Sequence, residues 1–149
     1  ADALGMRVPG RDPFAKNLPD YVQSADLATL WAESDAVSLH CPLTDDNRGL
    51  LNARTLAQCR RGVIIVNTAR GGLIEEEALL AAVRPGQVAM AGLDSFAVEP
   101  MTPGHPFQGE KNIVLSPHVG GVTSDAYVNM GVGAARNLLE VLSRQTATT

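Results

Sequence analysis

The sequence predicts an α/β fold built on a doubly wound parallel sheet, and two observations point to it. Short runs rich in β-branched residues alternate with segments of helical spacing, as crossover connections between parallel strands require. Polar and glycine-rich residues gather just after those runs rather than along the helix faces. That is where open parallel sheets place their ligands. With 149 residues, 45% of them hydrophobic and 19% charged, the chain has apolar surface for one domain with its own core.

Taken in order, Met6 to Arg11 reads as the first strand, followed by a loop containing Pro13 and Pro19. Asp26 to Glu33 has helical spacing, with Leu27, Leu30 and Trp31 on one side. Ala36 to His40 is a short strand stopped by Pro42, and Asn52 to Gln58 a short helix. Gly62 to Asn67 is an unbroken apolar run, which predicts a strand covered on both faces. Glu75 to Val83 is a helix with acidic residues in its first turn, closed by Pro85-Gly86. Val88 to Leu93 and Asn112 to Leu115 are two further strands, separated by a Pro- and Gly-rich loop from Val98 to Gly109. A helix from Ser124 to about Ser143 puts Tyr127, Met130, Ala134, Leu138 and Leu142 on a common face. No repeat, low-complexity tract or linker divides the chain, so a single domain is expected.

Charge and cysteine content exclude several classes. A net charge of −4 gives no reason to expect nucleic acid or an anionic membrane as partner. No apolar run reaches the length of a membrane span. Cys41 and Cys59 are too few for a disulfide framework and lack metal-site spacing, so reduced thiols in a cytoplasmic protein are expected. His40 and Cys41 are neighbours on an extended segment, where side chains point to opposite faces, so no nucleophile pair is expected there.

The strand exits hold the candidate functional residues. Asp12 could accept hydrogen bonds from both hydroxyls of an adenosine ribose, or simply start a turn before Pro13. Arg70 offers a bidentate fork for a carboxylate, the alternative being an ordinary surface arginine. Gly71 and Gly72 beside it permit a ligand's close approach or an unusual backbone angle. His118 has the chemistry of a proton carrier if a carboxylate such as Glu99 holds its far ring nitrogen; otherwise it is a strand-end histidine bonded to backbone. His105, on the long loop, reads as structural.

Three strings carry a resemblance: Asn67 to Ile74 (NTARGGLI), Gly92 to Pro100 (GLDSFAVEP) and Ser116 to Gly121 (SPHVGG). They resemble, in order, three signatures of the D-isomer-specific 2-hydroxyacid dehydrogenases. His40 to Thr44 is similar to that family's loop after its third sheet strand, and Gly10 to Phe14 to its adenosine-ribose segment. The resemblance covers essentially the whole chain. It implies a Rossmann-like fold, NAD as cofactor and a small 2-hydroxy or 2-keto acid as substrate. It implies further that Arg70 binds the acid, that His118 exchanges the 2-hydroxyl proton, and that Glu99 orients His118. Asp94 would bind the nicotinamide carboxamide and Asp12 the ribose, with Cys41, Pro42, Thr68, Ala69, His118, Gly120 and Gly121 lining the rest. Arg11 beside Asp12 leaves NADP open.

The sequence also departs from the family. Asn47 stands where relatives often have Thr, and Ser95 where they usually have Val. The G-x-G-x-x-G loop, the strand before it, most of the following helix and the substrate domain are not in these residues. The chain is therefore expected to be a fragment of a longer protein, a partial dinucleotide-binding domain with little or no activity alone. In the order 3-2-1-4-5-6 the absent strand is central, so the strands at 6–11 and 62–67 are expected to lack a partner between them. A parent homodimer is expected by the same resemblance. The alternative function is a partner-binding, nucleotide-sensing relative similar to corepressors. Glu99 stands where the formate-oxidising branch has Gln.

Overall fold

Side chains able to cap a helix stand where the spacing predicts helices to begin, and in the computed structural model, which describes residues 1–146, they do so. Asp26 accepts the Thr29 N–H at 2.7 Å and opens α1 (Leu27–Glu33). Asn52 accepts from the Arg54 and Thr55 N–H groups, and Thr55 Oγ1 accepts in return from the Asn52 N–H, a capping box that opens α2 (Ala53–Gln58). In α3 (Glu76–Val83), Glu76 and Glu77 occupy the first turn, where the helix dipole favours negative charge.

The strands are β1 (Val8–Gly10), β2 (Val22–Ser24), β3 (Ala36–Leu39), β4 (Val63–Asn67), β5 (Val88–Leu93) and β6 (Ile113–Leu115). β1 and β2 make a parallel pair, and β3-β4-β5-β6 a separate four-stranded parallel sheet in that order. All of this lies in one compact unit, Ala1–Pro117; a second unit begins at His118 and is built on α4 (Ser124–Thr146).

Two sequence expectations are corrected here. β4 does not lack a neighbour: it is paired with β3 on one side and β5 on the other, and the strands with a single neighbour are β1 and β2 in the pair and β3 and β6 in the sheet. The reason is β2, which the sequence reading left inside a loop. With β2 counted, the strand at 36–39 takes the place beside β4, at the edge of the four-stranded sheet. Nor is β4 covered on both faces. Val63 and Ile65 sink into a core with Trp31 of α1, Leu56 of α2 and Leu79 and Val83 of α3. The opposite face stays open, with Ile64, Met90 and Val114 exposed by 40%, 45% and 59%. An unbroken apolar run reports what a strand could bury, and within this unit helices cover only one side of it.

On α4, the predicted apolar stripe forms as expected, and Tyr127, Met130, Leu138 and Leu142 are all exposed. No helix among the described residues is long and apolar enough to cross a membrane.

Candidate active site

Parallel pairing brings four strand ends into one row: Leu39 opposite Asn67, Asn67 opposite Leu93, and Leu93 opposite Leu115. At a strand spacing of about 4.8 Å the row is about 14 Å long. From it His40-Cys41-Pro42, Thr68-Ala69-Arg70, Asp94 to Glu99, and Ser116 leave the sheet side by side. Residues scattered over nearly eighty positions thus share one edge, because every strand of this sheet runs the same way.

The middle of the row is organised by Asn67, which is fully buried. Its Oδ1 accepts the Ala69 N–H at 3.1 Å, its Nδ2 donates to the Arg70 carbonyl at 2.9 Å, and its own carbonyl accepts the Asp94 N–H at 2.9 Å. Arg70 follows on this turn with its side chain exposed. One guanidinium nitrogen, NH1, donates to the Ala69 carbonyl at 2.7 Å, and the rest of the fork makes no bond among the described residues. Gly71 and Gly72 act otherwise than the sequence implied. Neither has a positive φ, and what approaches them is the chain itself. A Cβ on Gly71 would sit 1.9 Å from the Phe96 carbonyl carbon, and one on Gly72 would sit 2.7 Å from a Leu43 methyl. The glycine pair lets the turn after β4 dock against the loops after β5 and β3.

Beyond β5, Asp94 is buried and its Oδ1 accepts from the Ser116 hydroxyl at the end of β6. Glu99 lies exposed on the same loop, where its Oε1 accepts the Phe96 N–H at 2.9 Å. The loop is tied back to α3 by Glu76, which accepts from the Ala97 N–H at 2.9 Å and pairs with His105 Nε2 at 3.2 Å. His105 Nδ1 accepts the Phe107 N–H, so the ring is fixed at both nitrogens, and its reading as structural fits.

After β3, Asn47 gathers its loop: Nδ2 donates to the Pro42 carbonyl at 2.7 Å and lies 3.8 Å from Cys41 Sγ, while Oδ1 accepts the Thr44 N–H. His40 turns instead to the Ser38 hydroxyl, as expected if it and Cys41 face opposite ways. Asp12, at the end of β1, accepts the Phe14 and Ala15 N–H groups on Oδ1, so it does start a turn; its Oδ2 makes no bond among the described residues. His118 opens the second unit with a φ of 56°, in the left-handed region that a residue with a Cβ seldom occupies. Gly120 and Gly121 follow it, both exposed. Thr68 is exposed and Ala69 half-buried on the turn before Arg70.

The family described as D-isomer specific 2-hydroxyacid dehydrogenase, NAD binding domain, matches residues 1–120. The chain belongs to this family. It is 42% identical over 142 residues to a hydroxypyruvate reductase of Thermotoga maritima, an alignment covering 94% of this chain and 46% of that protein. Among solved structures it is similar to a D-isomer specific 2-hydroxyacid dehydrogenase of Xanthobacter autotrophicus Py2 in complex with NADPH and MES. That match has TM-score 0.73 and 39% identity, over 77% of this chain and 38% of the other. It is similar too to a D-lactate dehydrogenase of Lactobacillus jensenii with NAD+, at TM-score 0.79 and 27% identity, over 87% and 43%. The chain therefore spans less than half the length of these relatives.

The donor set fits parts of a dinucleotide. The Asp12 Oδ2, which makes no bond among the described residues, can accept from ribose hydroxyls, and the exposed turns of the row present backbone groups. A Gly-x-Gly-x-x-Gly string, whose amides would hold the pyrophosphate, does not occur in the 149 residues. The nearest likeness, Gly131-Val-Gly133, lies inside α4. The sequence reading missed the loop-holding roles of the buried Asn67 and the half-buried Asn47 and Glu76. A polar residue next to a strand end was the only available signal, and it does not say which backbone groups the side chain meets.

Proposed function

We propose that the whole protein interconverts a D-2-hydroxy acid and its 2-keto acid with NAD as hydride carrier. The observation that carries this is the exposed Arg70 fork, held at the centre of a row of strand exits beside the buried Asp94. When bound, the nicotinamide supplies the hydride to the keto carbon, or accepts it in the reverse direction. Arg70 binds the carboxylate and the neighbouring carbonyl oxygen, which fixes the reacting carbon and polarises its C=O. His118 donates a proton to that oxygen on reduction and takes it back on oxidation, with Glu99 as the carboxylate that stabilises its charged form. Asp94 accepts from the nicotinamide carboxamide and Asp12 from the adenosine ribose. Cys41, Pro42, Thr68, Ala69, Gly120 and Gly121 line the remainder of the cofactor.

The resemblance of the three strings and the named reductases support this reading. Hydroxypyruvate and glyoxylate are the first substrates to try. We take residues 1–149 as part of the nucleotide-binding domain, without turnover alone because no pyrophosphate loop is in them. The whole protein is read as a cytoplasmic homodimer; the two free thiols favour the location, and the resemblance favours the dimer. Oxidation of NADH by the whole protein with each keto acid is the test. Arg70→Ala should lower kcat/KM about 10- to 100-fold, as loss of a charge-assisted hydrogen bond implies. Unchanged turnover in Arg70→Ala would sink the assignment.

A further inference from the structure

We propose that Asn67 is the positioning residue for Arg70, a role that rests on Arg70 being the substrate's anchor. Arg70 is exposed and the one hydrogen bond its guanidinium makes among the described residues is to backbone, the Ala69 carbonyl, so its aim depends on the backbone from which it projects. That backbone is held from below by one buried carboxamide. Asn67 spends both ends of its side chain on the two residues that follow Thr68, accepting from the Ala69 N–H and donating to the Arg70 carbonyl. The Arg70 carbonyl accepts a second bond, from the Leu73 N–H at 3.2 Å, so both its lone pairs are used. The Ala69 carbonyl in turn takes Arg70 NH1. The result is a closed relay from Asn67 to the turn to the guanidinium.

The relay needs an amide in particular. One end must accept and the other must donate, which also settles the orientation of the carboxamide, since the flipped form would set donor against donor and acceptor against acceptor. Aspartate has the same shape and can still accept from Ala69. It would set an oxygen against the Arg70 carbonyl, with no proton between them. Neither carboxamide atom touches a core side chain through a hydrogen bond, so the polar group serves this turn alone. The bond to Asp94 uses the Asn67 backbone carbonyl, which substitution of the side chain leaves in place.

Steady-state kinetics of the whole protein carrying Asn67→Asp, Asn67→Ser or Arg70→Ala test this. Asn67→Asp and Asn67→Ser are expected to raise the keto-acid KM about tenfold, the ratio that 1.4 kcal/mol sets, with a smaller rise in the NADH KM because Ala69 on the same turn lines the cofactor. Loss of folded protein alone would lower apparent kcat and leave both KM values where they were, and that outcome overturns the proposal. Combined with Arg70→Ala, Asn67→Ser should add nothing further to KM, since both act through one group. Hydrogen exchange of the whole protein gives a second readout without turnover. In Asn67→Ser the Ala69 amide should lose protection while those of Ile65 and Ala91 keep it; an Ala69 amide that stays protected also overturns the proposal. If Arg70→Ala leaves the keto-acid KM unchanged, the anchor assignment fails and takes the role of Asn67 with it. If Arg70→Ala raises KM and the Asn67 variants do not, only the positioning role fails.

Discussion

Replacing Gly71 by alanine sets a methyl carbon against main chain on every near side. It would lie 1.9 Å from the Phe96 carbonyl carbon, 2.1 Å from its oxygen and 2.5 Å from the Ala97 nitrogen. Relaxed contacts between carbon atoms sit at about 3.5–4.0 Å, so one of the two segments must retreat by roughly 1.5 Å. Neither is free to do so. Phe96 is buried and its N–H is held by Glu99, the Ala97 N–H is held by Glu76, and the turn before Gly71 is tied down by Asn67. Overpacking typically costs about 1–3 kcal/mol, and with no side chain able to rotate away the upper figure applies. At roughly 2–4 °C per kcal/mol for a chain of this size, about 3 kcal/mol lowers Tm by about 6–12 °C. Thermal unfolding followed by circular dichroism measures it. Gly92→Ala is the control, because a Cβ there meets no atom within 4 Å, and its Tm should stay near the parent's. A Gly71→Ala chain that melts with the parent would show that the two loops do not pack as described.

Three further outcomes are expected. Glu76→Ala removes the acceptor for the Ala97 N–H and the partner of His105, so the segment from 98 to 109 should be cleaved faster by a protease of broad specificity; an unchanged cleavage rate would count against the tether. Ser95 is buried and its hydroxyl has no hydrogen-bond partner among the described residues, so Ser95→Ala should leave stability unchanged or raise it by up to about 1 kcal/mol. A urea midpoint showing a clear loss would mean that the oxygen is bonded. Burial pushes the Cys59 thiol above its ordinary value of 9.0, and its S–H faces the Thr55 carbonyl at 3.4 Å. The unfolded chain then releases that proton first, so the contribution is whole below 9.0 and falls as pH rises toward the folded value. Cys59→Ala should flatten the decline of stability above that pH, and an equal slope in both chains would refute it.

Much of the fold is legible in local pattern. The starts of α1 and α2 follow from Asp26 and Asn52, whose side chains reach only three residues ahead and need nothing distant. The run from Val63 to Asn67 is a strand in the structure because its β-branched residues suit no helix here. β2 escaped notice for the opposite reason. Val22 to Ser24 is three residues long, and only its parallel register with Val8 to Gly10 makes it a strand. That omission in turn misplaced the open side of the sheet, since counting strands from sequence moves every later neighbour by one.

The candidate site divides along the same line. Sequence by itself determined the family, through three ordered strings, and with it the residue types available for chemistry: a guanidinium, carboxylates and an imidazole at strand exits. Tertiary structure alone decided what surrounds them. Gly71 is a glycine because Phe96, twenty-five positions later, passes where its side chain would be. Asn67 is an asparagine whose partners lie two and three residues ahead, yet its burial comes from the sheet and helices around it. Asp94 meets Ser116 because β5 and β6 pair in register. Each of these depends on contacts between segments far apart in the chain, and such contacts exist only once parallel pairing has drawn the strand ends into a single row.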